Sequence, residues 1–283
     1  MVRKIFLLIL SAMIVMALCS CEKSRDVYSP ADAKGIALPV VMYHSIVDSA
    51  EREGKYVIRP SLLERDMKYL KDNGYTAVLP DELYEYVNGG GKLPEKPVML
   101  TFDDGFYNNL VYALPLLEKY DMKAVISVVG KFTEDETNRG EKQSSKYSYL
   151  TWEQVKELGD SGRVAIGNHS YNMHGESGRK GTVRRKGESE AAYAGAVGED
   201  IRRMQDVTLE KTGIKMNVFT YPFGAITKTS EKVVKEMGFI MSLSCYEHVN
   251  TITRDESCLY SLGRYSRPAG SSPESFFGAM TVK

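Results

Sequence analysis

The chain is poor in several residue types that would announce a function. It holds one Trp, four His and four Cys in 283 residues. No stretch reaches the ~20 consecutive apolar residues that cross a bilayer comfortably, which excludes a multi-span membrane protein. Neither sign of charge is in excess, with 37 Lys and Arg against 37 Asp and Glu. A domain that lives by binding nucleic acid carries a marked basic surplus, so that class is set aside. No internal repeat is found. What is present is ordinary globular material, 43% hydrophobic and 26% charged, which excludes disordered and collagen-like chains. The length suits about 1.4 to 2.8 domains at the usual ~100–200 residues each. Aromatic character rests on 18 Tyr, whose amphipathic rings suit sugar surfaces as well as cores.

The first twenty residues stand apart. Arg3 and Lys4 precede an apolar run from Ile5 to Leu18 broken only by Ser11, the layout of a secretory signal. Its end, Leu18-Cys19-Ser20-Cys21, resembles the lipobox of bacterial lipoproteins, with Cys21 as the lipidated residue. An uncleaved N-terminal anchor is the alternative. Either way the body of the chain is expected to be exported and held at the outer face of the cell membrane. Residues 21–37 are polar, carry Pro30 and Gly35, and are expected to form a flexible tether. The catalytic body is expected over 38–283 as a single domain. With Cys21 used by lipid, Cys245 and Cys258 remain, either as a disulfide, which an exported compartment permits, or as two buried thiols.

From Leu38 onward strand-like and helix-like segments alternate. Strands are predicted at Pro39–His44, Tyr75–Leu79, Pro97–Phe102, Lys123–Val129, Arg163–Gly167, Asn217–Tyr221 and Phe239–Leu243. Helices are predicted at Ser61–Asp72, from Asp81, and near Asn108–Tyr120. Others follow from Thr151, at Glu188–Thr212 and at Ser230–Met237. Ser61 with Glu64, and Thr151 with Gln154, have capping-box spacing. The stretches Thr133–Ser148 and Gly175–Gly187 are expected to be loops. Such alternation implies an α/β fold with a mainly parallel sheet and helices outside. Over this length it suits a (β/α) barrel, with a doubly wound open sheet as the alternative.

Two constellations carry chemistry, and both follow apolar strands. The first is Thr101-Phe102-Asp103-Asp104-Gly105, at the carboxyl end of a strand, where α/β sites are built. Adjacent strand residues point to opposite faces, so both carboxylates meet at one site only if the chain turns there, as Gly105 permits. Close carboxylates repel unless a cation or proton lies between them; a metal bound by one would leave the other as a base. The plainer alternative is an Asp that caps the next helix. The second constellation is Gly167-Asn168-His169-Ser170-Tyr171-Asn172-Met173-His174. Spacing of i, i+5 puts the two rings ~140° apart on a helix at ~100° per residue. A shared ion therefore requires a strand end running into an irregular loop; two solvent-facing His are the alternative. With one carboxylate, the pair makes the ligand set of catalytic zinc sites that keep a position open for water.

These residues, with Tyr221-Pro222-Phe223-Gly224, resemble the successive motifs of the polysaccharide deacetylases, the NodB-homology family also called carbohydrate esterase family four. The likeness runs from VVMYHSI to RYSRPAG, about residues 38 to 280. It implies a distorted (β/α) barrel and metal-dependent removal of acetyl groups from amino sugars of a polysaccharide. By this resemblance Asp104, His169 and His174 are the metal ligands and Asp103 is the general base. The backbone N–H of Phe223 steadies the oxyanion. Zinc is the first expectation for the metal, with cobalt or nickel as alternatives.

Departures from the family pattern are also legible. The five-residue His spacing is similar to the subgroup that includes poly-N-acetylglucosamine deacetylases. The Arg that usually orients the base is Thr220 here, and Arg264 or Arg267 could replace it. The usual general acid is unassigned; His44, at the end of the first strand, is the best remaining candidate to line the pocket as a catalytic residue, a hydrogen-bonded core His being its plainer reading. Tyr171, Tyr221, Pro222, Arg264 and Arg267 are expected to contact sugar. Trp152 and Tyr149 are further aromatic candidates. The basic run Arg179 to Lys186 is expected to be a solvated loop, and His248 exposed or structural. The partners expected are an N-acetylated polysaccharide, from peptidoglycan or exported poly-N-acetylglucosamine, and the membrane through the lipid, with the protein a monomer. An O-acetyl esterase and a non-catalytic glycan-binding lipoprotein are the rival readings.

Overall fold

The structure is a computed structural model that describes residues 35–175 and 179–280. The expected signal, Cys21 and most of the expected tether lie outside these residues.

Seven strands build the scaffold: β1 (Val40–Tyr43), β2 (Pro97–Phe102), β3 (Ala124–Val128), β4 (Val164–Asn168), β5 (Val218–Thr220), β6 (Met241–Leu243) and β7 (Tyr265–Ser266). They lie in the order β6-β5-β4-β3-β2-β1-β7, and every adjacent pair is parallel. A short strand, Thr76–Ala77, also pairs with β2 off this path. One segment brings the two edges together. Leu262 bridges Leu243 in parallel, and the Arg264 N–H donates to the Tyr246 carbonyl at 2.8 Å, while two residues on β7 pairs with β1. The expected distorted (β/α) barrel is what forms.

Helices cover the outside: α1 (Pro60–Asp72), α2 (Pro80–Val87), α3 (Leu114–Tyr120), α4 (Gly130–Arg139), α5 (Trp152–Asp160), α6 (Glu190–Thr212), α7 (Lys228–Glu236) and α8 (Pro273–Gly278). Alternation along each strand sorts the core. Val40, Met99, Val125, Val218 and Met241 meet one another in one cluster. Their neighbours Val41, Leu100 and Ile126 pack outward with Leu63, Met67 and Val155 of the helices. Strands buried on both faces read as continuous apolar runs, and β2 (PVMLTF) and β3 (AVISV) are buried at every position.

The inward rows then change character toward the carboxyl end. Two residues beyond Met99 and Val125 stand Thr101 and Ser127; two beyond Val218 stands Thr220. The Ser127 and Thr220 hydroxyls are 2.7 Å apart. Gly167 leaves room here, since a Cβ would lie 2.5 Å from Ser127 Oγ. The next step along the same rows is Asp103, His169 and, past Leu262, Arg264. Period two therefore lifts the reactive groups onto one face of an apolar plug.

Four expectations need correction. The tether ends earlier, because Ile36–Leu38 pairs antiparallel with Asn250–Ile252. Ser61 and Glu64 form no cap: α1 starts at Pro60 with Arg59 as N-cap and no side-chain cap bond, since Pro presets the first helical turn. Thr133–Ser148 is not all loop, as α4 runs to Arg139 with Gly140 left-handed at its end. The helix expected at Asn108–Tyr120 opens with a π-helical turn at Asn109–Ala113 before α3. The Thr151–Gln154 capping box is present as expected.

Candidate metal and catalytic site

Asp103 and Asp104 leave β2 in opposite directions unless the backbone reverses. It does: Asp104 has φ 72° and Gly105 φ 71°. A left-handed Asp is tolerated because its short side chain bonds locally. Gly105 is required on two counts, since a Cβ there would also lie 2.8 Å from Val128 Cγ1. The turn brings both carboxylates to the mouth of the barrel.

His169 sits at the end of β4 and Ser170 turns the chain with φ 70°, so that His174 folds back toward it, ring centroids 4.8 Å apart. Asp104 Oδ1 lies 3.1 Å from His174 Nε2 and 3.5 Å from His169 Nε2. The three ligand atoms fall within 4.8 Å of one another. Tetrahedral ligands at ~2.0–2.1 Å from zinc are separated by roughly 3.3 Å, close to the two distances from Asp104 to the imidazoles. Two further observations favour a cation. Asp104 Oδ1 is buried without a hydrogen-bond partner, and burial of a carboxylate oxygen in that state is costly. His169 Nδ1 lies 2.8 Å from the Thr220 carbonyl, to which only a protonated Nδ1 can donate, leaving Nε2 as a lone pair directed at Asp104.

Asp103 has a different environment. Arg264 grips it in a two-pronged pair, Nη1 to Oδ1 at 2.7 Å and Nη2 to Oδ2 at 2.8 Å. Arg264 is fully buried and is itself fixed by the Ser244 carbonyl at 2.7 Å and Thr101 Oγ1 at 3.1 Å. Burial alone would raise the Asp103 pKa; the Arg264 guanidinium and then His169 outweigh it and hold the carboxyl well below the usual range. For Asp104 burial again opposes ionisation, and His169 overcomes it. Burial would likewise lower the His169 pKa, but Asp104 and Asp103 raise it on balance. His174 goes the other way, lowered first by burial and then by His169.

A cleft of about 580 Å³ opens over these groups, lined among others by His44, Lys55, Tyr56, Phe106, Phe223 and Cys245. His44 faces it with its pKa lowered by burial, against the pull of Asp103 and Asp104. Phe223 is left-handed at φ 58° and lies over His174 at 4.4 Å between centroids.

The structure thus gathers Asp103, Asp104, His169, His174, His44 and Phe223 at one cleft. It does not bring the expected sugar contacts there. Tyr221 is fully buried against Phe219, and Pro222 is buried at the start of the turn that presents Phe223. Tyr171 borders a separate cavity with Arg179 and Arg203, its hydroxyl bonded to Glu134 and Arg203. Arg267 is buried in a two-pronged pair with Asp66, 2.8 Å on each side. Arg264 grips Asp103 from inside the barrel, the contact to the expected base that Thr220 cannot make. Trp152 is buried, and Tyr149 stacks on Phe106. Arg179 is buried and paired with Glu188, not solvated, whereas Arg184 pairs with Glu190 at the surface. Cys245 and Cys258 are free thiols. The inward parity of residues beyond Leu243 is the one signal that would have placed Cys245 in the cleft; Lys55 and Tyr56 carry none.

The sequence profile of the polysaccharide deacetylases matches residues 90–242. The chain belongs to the polysaccharide deacetylase family. Among its relatives, YxkH of Bacillus subtilis (strain 168) is 30% identical over 243 residues, covering 86% of this chain and 76% of YxkH. A poly-β-1,6-N-acetyl-D-glucosamine N-deacetylase of Escherichia coli O157:H7 is 24% identical over 263 residues, and the match covers 83% of this chain but 39% of that relative's length. Among solved deacetylase structures, a de-N-acetylase from Aggregatibacter actinomycetemcomitans superposes with TM-score 0.70 at 26% identity, covering 83% of this chain and 97% of that one. IcaB from Ammonifex degensii gives 0.67 at 27% identity, covering 87% and 96%.

Proposed function

We propose that this deacetylase-family chain removes N-acetyl groups from an exported polysaccharide of amino sugars, poly-β-1,6-N-acetylglucosamine first among them, with zinc as its metal. The observation that carries the proposal is the pairing at one cleft of an Asp-His-His cation site with a second carboxylate locked by a buried Arg. Relatives that bear the name of poly-β-1,6-N-acetyl-D-glucosamine N-deacetylase support the substrate.

Asp104, His169 and His174 would hold a divalent cation, which would supply Lewis acidity toward the acetamide carbonyl and lower the pKa of water. Asp103 orients the attacking water and takes its proton. The Arg264 pair keeps Asp103 ionised and fixes both its oxygens, so the water meets a carboxylate of one orientation. Attack places negative charge on the carbonyl oxygen, and the Phe223 N–H would supply a donor to it. The departing sugar nitrogen needs a proton; the one Asp103 takes from the water balances it, and His44, which lines the cleft, would relay it. The products are acetate and a free amine on the sugar.

The N-terminal residues complete the picture: a signal, lipidation at Cys21 and a tether that holds the barrel off the outer face of the membrane. Acetate release from β-1,6-linked N-acetylglucosamine oligomers, set against release from peptidoglycan fragments, tests the substrate. Release from the β-1,6 oligomers should dominate, and a preference for peptidoglycan would overturn that part. Labelling by a fatty-acid analogue should be lost in Cys21→Ala, and labelling that survives would rule out Cys21 as the lipidated residue.

A further inference from the structure

The two histidines belong to a segment with no regular structure to hold it. A helical His pair at i, i+4 is supported by its own backbone ladder. Five residues apart, and with Ser170 left-handed, the stretch from His169 to His174 has none. Its backbone N–H groups must find partners elsewhere or remain unpaired. Their partners can be followed one by one. His169 N–H donates to the Val128 carbonyl at 3.1 Å, Ser170 N–H to Asn168 Oδ1 at 2.8 Å, and Met173 N–H to Ser170 Oγ at 3.1 Å. The two in the middle go to a single side chain. Tyr171 N–H donates to Asp200 Oδ1 at 2.7 Å and Asn172 N–H to Asp200 Oδ2 at 2.9 Å.

Asp200 is on α6, about thirty residues away in sequence. The helix is anchored from below by Tyr193, Val197 and Ile201, which pack on Phe219 and Tyr221, so its carboxylate is a fixed point relative to the barrel. Burial raises the Asp200 pKa, against the pull of the two N–H groups and Arg203. Bonds from N–H groups to an ionised acceptor are the stronger kind.

We infer that Asp200 is a positioning residue for the metal site: by binding two successive backbone N–H groups between His169 and His174, it sets the bend that brings both imidazoles to one ion. Asp200 touches neither the ion nor the substrate. It acts on the ligands through the backbone, as groups behind metal ligands commonly do, where loss costs about 10–100-fold in metal affinity.

The inference rests on the proposed metal site, and the experiment separates the two. Cobalt(II) is titrated into the metal-stripped full chain, with affinity and visible absorption both recorded, for wild type, Asp200→Asn, Asp200→Glu and Tyr171→Phe. Asp200→Asn keeps the shape but turns an NH2 toward one of the two N–H groups. Its cobalt affinity should fall by about 10–100-fold and its absorption bands shift, while metal-free melting moves little. Asp200→Glu retains two acceptor oxygens and should recover part of the affinity. Tyr171→Phe removes the hydroxyl bonds to Glu134 and Arg203 but keeps the N–H, and should bind as wild type does. Equal affinity and unchanged bands in Asp200→Asn would overturn the positioning role, as would an equal loss in Tyr171→Phe. Should Asp200→Asn fail to fold, Asp200→Glu decides: its longer side chain displaces both oxygens, so affinity below wild type with shifted bands is expected, and wild-type affinity with unchanged bands would overturn the role. If wild type itself binds no cobalt, the metal site fails, and the positioning role with it.

Discussion

At the scale of single residues, the two adjacent carboxylates differ because their partners differ. Asp104 faces two imidazoles and Asp103 faces a guanidinium. Arg264→Lys replaces a planar fork by a point charge that cannot satisfy both oxygens. Turnover should fall by about 10²-fold, on the scale of a lost catalytic orientation, with metal affinity retained. The lysine would keep a charge but lose the two-pronged hydrogen bonds that help depress the Asp103 pKa, so the acidic limb of the pH–rate profile should move upward. An unmoved limb would contradict the assignment of Arg264. Stability has the same sign. A carboxyl whose folded pKa is depressed stabilises the fold above its unfolded pKa of ~3.9, and that contribution is lost as pH falls toward the folded value. For stability His169 gives the opposite sign, a contribution present at low pH and lost as pH rises through its folded pKa. His169 is raised above its ordinary value and must lose its proton to ligate, so apparent metal affinity should fall by about tenfold per pH unit below that pKa. Affinity that stays flat from pH 7 to pH 5 would rule out His169 as a ligand.

At the scale of elements, the site depends on a few turns that admit little substitution. Gly105→Ala would force a Cβ into the left-handed region and against Val128. A cost of about 1–3 kcal/mol is expected, read as a lowered melting temperature together with weaker metal binding. An unshifted melt would mean that the turn is not under this constraint. Such turns are also where the sequence was most legible. Strand Pro97–Phe102 followed by Asp-Asp-Gly fixes its own bounds, and the unhelical spacing of His169 and His174 already demands an irregular loop. Less was legible wherever burial depends on a distant partner. Residues 130–139 are too polar to look like a packed helix, yet Thr133 and Glu136 are buried. Arg264 and Arg267 look alike in sequence, and only barrel closure sends one to Asp103 and the other to Asp66. Tyr171 looked like a sugar contact because it neighbours a ligand, but its ring points to the far side of that loop, against Arg203.

At the scale of the whole molecule, barrel closure and site assembly are one event. The segment from Leu262 to Ser266 joins β6 to β1 and carries Arg264 to Asp103 on the way. Beside it the Asp66–Arg267 pair, joined by the Tyr43 hydroxyl at 3.1 Å from Asp66, ties β1 and α1 to the residue after β7. Both charges are buried, and leaving one uncompensated costs about 3–5 kcal/mol. Asp66→Ala should therefore lower stability to chemical denaturant by that order, and activity only through unfolding. A variant of full stability would show that the closure does not rest on this pair.

The most direct test of the account is acetate release from N-acetylglucosamine oligomers by the chelated protein, with zinc, cobalt or nickel added back, for wild type and Asp103→Asn. Metal-dependent release by wild type is predicted, with a loss of at least about 10²-fold in Asp103→Asn and no loss of metal binding. Metal bound at His169 and His174 without acetate release, or equal release by Asp103→Asn, would contradict it.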